Sequence, residues 1–234
     1  MTTTKDKAPA DGTETVRLIE RNRLLASLSD ADRQRLAASS KQHWTEKDEA
    51  VFREGEEANS VWLVSSGMVK LVRIARLQVA LTLELVLPDE LLGGVFYTDE
   101  PRYPCAAIAM EQTQLLVFPT RLLHQLLQGN PELARSLLAM VCRGLCHAQQ
   151  MRGVGTEDVA RRVAKALLYL HDRFGPEIRQ GRALVAELAG TSTESAIRVT
   201  RALAVRGIVS TGRSRITVVS LRELQRFSQR APAL

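Results

Sequence analysis

Toward its C-terminal end the chain reads RALVAELAGTSTESAIRVTRALAVR, residues 182–206, and this run admits few folds. Apolar residues recur at helical spacing on both sides of Ala189-Gly190-Thr191, which predicts helices at about 182–189 and 192–206 joined by a tight glycine turn. A further helix is expected over 156–173. Two short strands, GIVST and SRITVVS, follow and form a hairpin around Thr211-Gly212-Arg213. Helix, glycine turn, helix and hairpin make the winged helix-turn-helix pattern. Charge agrees with it: residues 156–234 carry 14 Lys+Arg against 7 Asp+Glu, whereas residues 1–155 carry 18 against 19. The basic excess lies in one third of the chain, as a polyanion partner would require.

Upstream the texture differs. MTTTKDKAPADG is polar and without an apolar core, so residues 1–16 read as a disordered tail with no leader character. Residues 14–42 read as helical, with Ser29 placed to cap a short helix. From His43 to Phe118, short apolar or alternating runs are separated by Glu-Gly-Glu, Ser-Ser-Gly, Pro-Asp-Glu and Gly-Gly, as in a many-stranded β domain. Gly55 and Gly67 suit turns of positive φ. At Pro119 the period becomes helical: a short helix over 120–128 ends at Gly129, and Pro131 opens a second that runs to about Met151. Along it Leu138, Val141, Leu145 and Ala148 are spaced three, four and three, the seam of a two-stranded coiled coil or a single face packed on its own β domain. Gly153 and Gly155 mark a hinge. No apolar run is long enough for a membrane span, and three cysteines fit a reducing, cytoplasmic setting better than a disulfide scaffold.

Four stretches carry a family resemblance: FREGEEANSVWLVSSGMVKL (52–71), ELLGG (90–94), LHQLLQGNPEL (123–133) and ELAGTSTESAIRVTRAL (187–203). In this order the chain resembles the Crp-Fnr family of bacterial transcription regulators, over roughly residues 20–228. The resemblance implies an α+β architecture: an N-terminal β-roll like the jelly roll of cyclic-nucleotide-binding domains (17–130), a long dimerisation helix and hinge (131–154), and a winged helix (155–234). It also implies a homodimer on a palindromic double-stranded DNA operator, with RNA polymerase and a small effector as further partners and no membrane.

Within the second helix of the motif, Glu194 and Arg198 stand four apart and share a face. A carboxylate accepts from cytosine N4 and a guanidinium takes guanine O6 and N7, so the pair can specify a G·C step. In the family an E-x-x-x-R core here reads a TGA-like half-site. Thr193, where the cyclic-AMP receptor type has arginine, favours a shorter or TTGA-like element over a TGTGA-type site, and Ile197 can meet a thymine methyl. Ser192, Arg201, Arg213 and Arg215 are expected on phosphates. Thr191 and Glu194 also fit a T-x-x-E capping box, in which Glu194 only closes the helix start.

For the β domain, the resemblance places the glutamate that holds a nucleotide ribose at Gly93 and the Arg-Ser pair that holds its phosphate at Tyr103 and Pro104. Both determinants are missing, which argues against cyclic AMP, since a buried phosphate with no cation is costly. A shift of one would bring in Arg102 but still leave Tyr103 for the serine. The expected effector-facing set is Gly93, Gly94, Tyr103, Pro104, Cys105, Cys142, Cys146 and Gln149. Three readings of Cys105, Cys142, Cys146 and His147 stay open: small packed residues, a thiol-redox or soft-metal switch, and a haem held by His147 or His124. No hydrolase, metalloprotease or phosphate-loop motif occurs and the four histidines are scattered, so catalysis is not expected. A signalling module that binds no DNA is the remaining alternative, and the basic winged-helix region counts against it.

Overall fold

Strand β3 (Ser60–Ser66, SVWLVSS) shows why the β region lacks a clean alternation. Val61 and Leu63 join a cluster with the helices, while Val64 and Trp62 join a second cluster on the opposite face, so successive residues are covered on both sides. The computed structural model describes residues 12–74, 80–93, 101–151, 157–213 and 215–229, with the side chains of 74, 80, 143 and 145–151 left aside. The other strands of this region are β1 (Lys41–Thr45), β2 (Ala50–Phe52), β4 (Val69–Ile74), β5 (Ala80–Val86), β6 (Leu91–Leu92), β7 (Ala106–Ala109) and β8 (Thr113–Pro119). They form two four-stranded sheets, β1-β8-β3-β6 and β2-β7-β4-β5. β3 and β8 are antiparallel, with Trp62 opposite Val117 and Leu63 opposite Leu116.

Helices α1 (Gly12–Arg21), α2 (Asp30–Ala38) and α3 (Thr120–Gly129), a 3-10 turn at Leu25–Ser27, and the start of α4 (Pro131–Met151) cover one face of the first sheet. Ile19, Leu25, Leu28, Leu36, Leu123 and Leu133 are the buried contacts there, each contributing about 2 kcal/mol by removal from water. Ser29 caps α2 as expected, its Oγ accepting from the Asp32 amide at 3.1 Å. Asn130 closes the start of α4 by accepting from the Leu133 amide at 3.0 Å. Gly12 and Thr13, expected in the tail, are helical, and 14–16, where the tail and helix readings overlapped, are helical too and bury Thr15. The polar composition hid a face defined by Thr15 and Ile19, one turn apart.

The other region consists of α5 (Val159–Phe174), β9 (Glu177–Ile178), α6 (Gly181–Leu188), α7 (Thr193–Val205), β10 (Val209–Gly212), β11 (Arg215–Val218) and α8 (Leu221–Gln229). Val163, Leu167, Leu170, Val185, Leu188, Ala196, Leu203, Ile216 and Leu224 form its buried core. The expected helices and hairpin are present; β9, which pairs with β11 in a β10-β11-β9 sheet, and α8 were not foreseen. Two residues are too few for a strand signal, and α8 is mostly polar, with Leu224 and Phe227 on its buried side. By proximity along the fold the chain divides into two units, Met1–Arg73 with Glu84–Gly144 and Ile74–Leu83 with Leu145–Leu234. Among the described residues no helix is long and apolar enough to cross a membrane.

Candidate nucleic-acid interface

The junction of α6 and α7 is built from backbone geometry. Gly190 has φ +56°, the left-handed region in which a Cβ is disfavoured. The Thr191 amide reaches back to the Ala186 carbonyl at 3.0 Å and the Gly190 amide to Glu187 at 3.2 Å, the paired bonds of a Schellman turn. Helix α7 then starts at once, because Ser192 caps it by accepting from the Ser195 amide at 3.2 Å. The capping box of Thr191 with Glu194 is therefore not formed. The cap falls one residue later than that motif requires, and Glu194 lies in the first turn with its carboxylate outward.

That leaves one face of α7 open. Thr193, Glu194, Arg198 and Arg201 are exposed and Ile197 is half-buried, while Ala196, Val199 and Leu203 face the core. Thr200, buried, donates its hydroxyl to the Ala196 carbonyl at 2.9 Å and is satisfied within the helix. The side chains of Glu194, Arg198 and Arg201 have no hydrogen bond or ion pair among the described residues. Charged side chains left unengaged on an exposed helix face are open to a partner outside the fold. At the wing, Arg213 is exposed and Arg215 lies 3.7 Å from Glu177, which also pairs with Arg179 at 3.0 Å. Arg182 of α6 donates to the Gly212 carbonyl at 3.4 Å, a tie between first helix and wing that no motif announced.

The described residues of the expected effector-facing set have different settings. Tyr103 is 4% exposed and stacks on Phe52, with ring centroids 3.7 Å apart and 14° between planes. Its hydroxyl donates to the Ser60 carbonyl at 2.8 Å and accepts from Trp62 Nε1 at 3.2 Å. Burial pushes its phenol up, and the two hydrogen bonds act against that shift. A Cβ on Gly93, at φ +83°, would stand 3.1 Å from the Tyr103 ring, the Trp62 ring and the Ser60 carbonyl alike. Gly93 and Tyr103 thus meet, but as a filled contact. Pro104 is exposed, and Arg102, also exposed, donates to the Gly55 carbonyl at 3.0 Å.

Cys105 is buried, and burial first, then the carboxylates of Glu54 and Glu84, push its thiol up to about 11. The nucleophilic form of a cysteine is the thiolate, scarce here at neutral pH, so burial and charge both favour the reading of Cys105 as a packed residue. Cys142 is exposed on α4. Gly94 lies outside the described residues, as do the side chains of Cys146, His147, Gln149, Leu145 and Ala148. His124 is half-buried on α3, and no group of three His, Cys, Asp or Glu residues suited to a metal occurs among the described residues. On α4 Leu138 and Val141 are 63% and 54% exposed, large apolar side chains one turn apart in the expected seam.

The model of the cyclic nucleotide-binding domain matches residues 42–130, and that of the Crp-like helix-turn-helix domain matches residues 161–227. The cyclic AMP receptor protein of Thermus thermophilus is 34% identical over 170 residues, covering 72% of this chain and 79% of the relative. The chain belongs to the Crp-Fnr family. The transcriptional activator protein anr of Pseudomonas aeruginosa is 27% identical over 187 residues, 76% of each chain. Among solved structures, FixK2 from Bradyrhizobium japonicum shares the fold with a TM-score of 0.69 at 23% identity, over 83% of this chain and 98% of its own. This Crp-Fnr member is accordingly a transcription regulator with a helix-turn-helix DNA-binding domain, in a family whose regulators bind DNA and dimerise.

Proposed function

We propose that the protein acts as a homodimer on a palindromic DNA site with TTGA- or TGA-like half-sites, under an effector other than cyclic AMP. The observation that carries this reading is the open face of α7, where Glu194 and Arg198 are exposed and unengaged while Ser192 supplies the cap. Arg198 is assigned to guanine and Glu194 to cytosine, with Thr193 and Ile197 tuning the neighbouring positions and Ser192, Arg201, Arg213 and Arg215 on phosphates. Leu138 and Val141, continued by Leu145 and Ala148, form the seam with a second copy. Residues 17–130 serve as the sensing domain, 131–154 as dimer helix and hinge, and 155–234 as the DNA reader; an effector selects the arrangement that sets the two α7 helices about one DNA turn apart. RNA polymerase is the expected partner of the DNA-bound dimer.

Against cyclic AMP stands the pair at the roll: glycine at 93 and a buried, internally bonded tyrosine at 103, where the family's ribose and phosphate contacts would fall. A salt titration on a random-sequence duplex tests the DNA reading. Affinity should fall steeply and linearly in log–log form with salt, with a slope of about −5 or steeper for several phosphate contacts per protomer. A weak interaction indifferent to salt would contradict it.

A further inference from the structure

We infer that Arg162 is a positioning residue for DNA reading: its guanidinium holds the α6–α7 turn in the pitch that aims α7 at base edges. The inference rests on the DNA-binding reading above and adds a residue that touches no DNA. Arg162 projects from the first turn of α5, and its Nη1 donates to two consecutive carbonyls, Ala189 and Gly190, at 2.9 Å each. These carbonyls fall in the turn between α6 and the cap of α7. The Schellman bonds occupy the carbonyls of Ala186 and Glu187 and leave these two open. A single nitrogen, through its two N–H groups, satisfies both.

Arg162 differs from Arg161 beside it. Arg161 reaches the Ser228 and Gln229 carbonyls and lies 3.7 Å from the Glu157 carboxylate. Arg162 has no carboxylate partner among the described residues, and its Nε is buried without a hydrogen bond. A half-buried guanidinium with one idle, buried Nε is a modest stabiliser, since desolvation offsets part of what the two bonds contribute. A favourable gain remains only at the turn, where the positive charge also meets the negative end of the α6 dipole. Ala189 is fully buried, so without the clamp its carbonyl can be satisfied only by rotating the peptide toward water. Because Ser192 starts α7 two residues after Gly190, such a rotation changes the direction of α7 while its core contacts through Ala196 and Leu203 survive. Base recognition depends on that direction; phosphate contact much less so.

The test compares full-length wild type, Arg162→Met and Arg162→Lys on two probes at one salt concentration: a duplex selected by the wild-type protein from a random pool, and the same duplex scrambled. Arg162→Met should weaken binding to the selected duplex about 10- to 100-fold, the scale of a pair of charge-assisted hydrogen bonds, with preference fading evenly across the half-site. On the scrambled duplex the loss should stay within about threefold, and far-UV circular dichroism should be unchanged. Arg162→Lys, which keeps the charge on a shorter side chain without the planar guanidinium, should recover part of the loss, and it carries the comparison alone should the methionine variant not fold. Equal binding of wild type and the variants to the selected duplex overturns the inference. So does an equal loss on both probes, which is the mark of a merely structural role. Selection of no duplex by the wild type would instead defeat the DNA reading and this inference with it.

Discussion

The solvent face of α7 and the interior beside Gly93 handle polar groups in opposite ways. On α7, Glu194, Arg198 and Arg201 stand exposed with nothing in the described protein to engage them, and Ser192 takes over the one local task Glu194 could have had. Beside Gly93 the Tyr103 hydroxyl both donates and accepts, to Ser60 and from Trp62, and its ring lies flat on Phe52. Polar groups left open are available to a partner outside. Polar groups bonded within the fold leave a ligand nothing to displace without loss.

The comparison can be broken first at Tyr103. If the ring is structural filling, Tyr103→Ala should lower unfolding free energy by about 3–5 kcal/mol in chemical denaturation, and Tyr103→Phe by about 1 kcal/mol for the hydroxyl alone. A stable Tyr103→Ala protein with an altered effector response would mark Tyr103 as a ligand contact instead. Next is the seam. Leu138→Glu combined with Val141→Glu should convert dimer to monomer in sedimentation and weaken DNA binding about 100-fold, by placing carboxylates in an apolar interface. An unchanged dimer would move the interface elsewhere.

The smallest effect concerns Cys105. With its folded thiol held up at about 11 against an ordinary 9.0, the stability it contributes is full below about pH 9 and is lost as pH rises through 11. Wild type should therefore lose about 1–2 kcal/mol more than Cys105→Ala between pH 9 and 11. Identical pH profiles would show that the thiol is not shielded as described.

Local chemistry was legible and long-range chemistry was not. Ser29 and Pro131 act through neighbours a few residues away and the Gly190 turn closes on Ala186 and Glu187, so sequence spacing contains those interactions. Gly55 and Gly67 have the positive φ their turns need, but the Tyr103 carbonyl also holds Gly55 and Gly67 lies against Thr113, which spacing does not show. Misplacement of the α7 cap was a one-residue error between adjacent hydroxyls, Thr191 and Ser192, both chemically suitable. Strand β3 lost its alternation because both faces are covered, which no single strand announces. Missing determinants at 93 and 103 could be read, but that Tyr103 fills the space against Phe52, more than fifty residues away, could not. Arg162 left no signal at all, since its partners are carbonyls and every residue has one.

The central claim is that Glu194 and Arg198 read bases from the open face of α7. It is tested most directly by in vitro selection from random duplexes with wild type and Arg198→Ala in parallel. The account predicts inverted half-sites about 10 base pairs apart centre to centre, with a G·C step whose preference, about 1–3 kcal/mol, disappears in the variant while salt-dependent binding persists. The same motif enriched at the same strength by Arg198→Ala would contradict it.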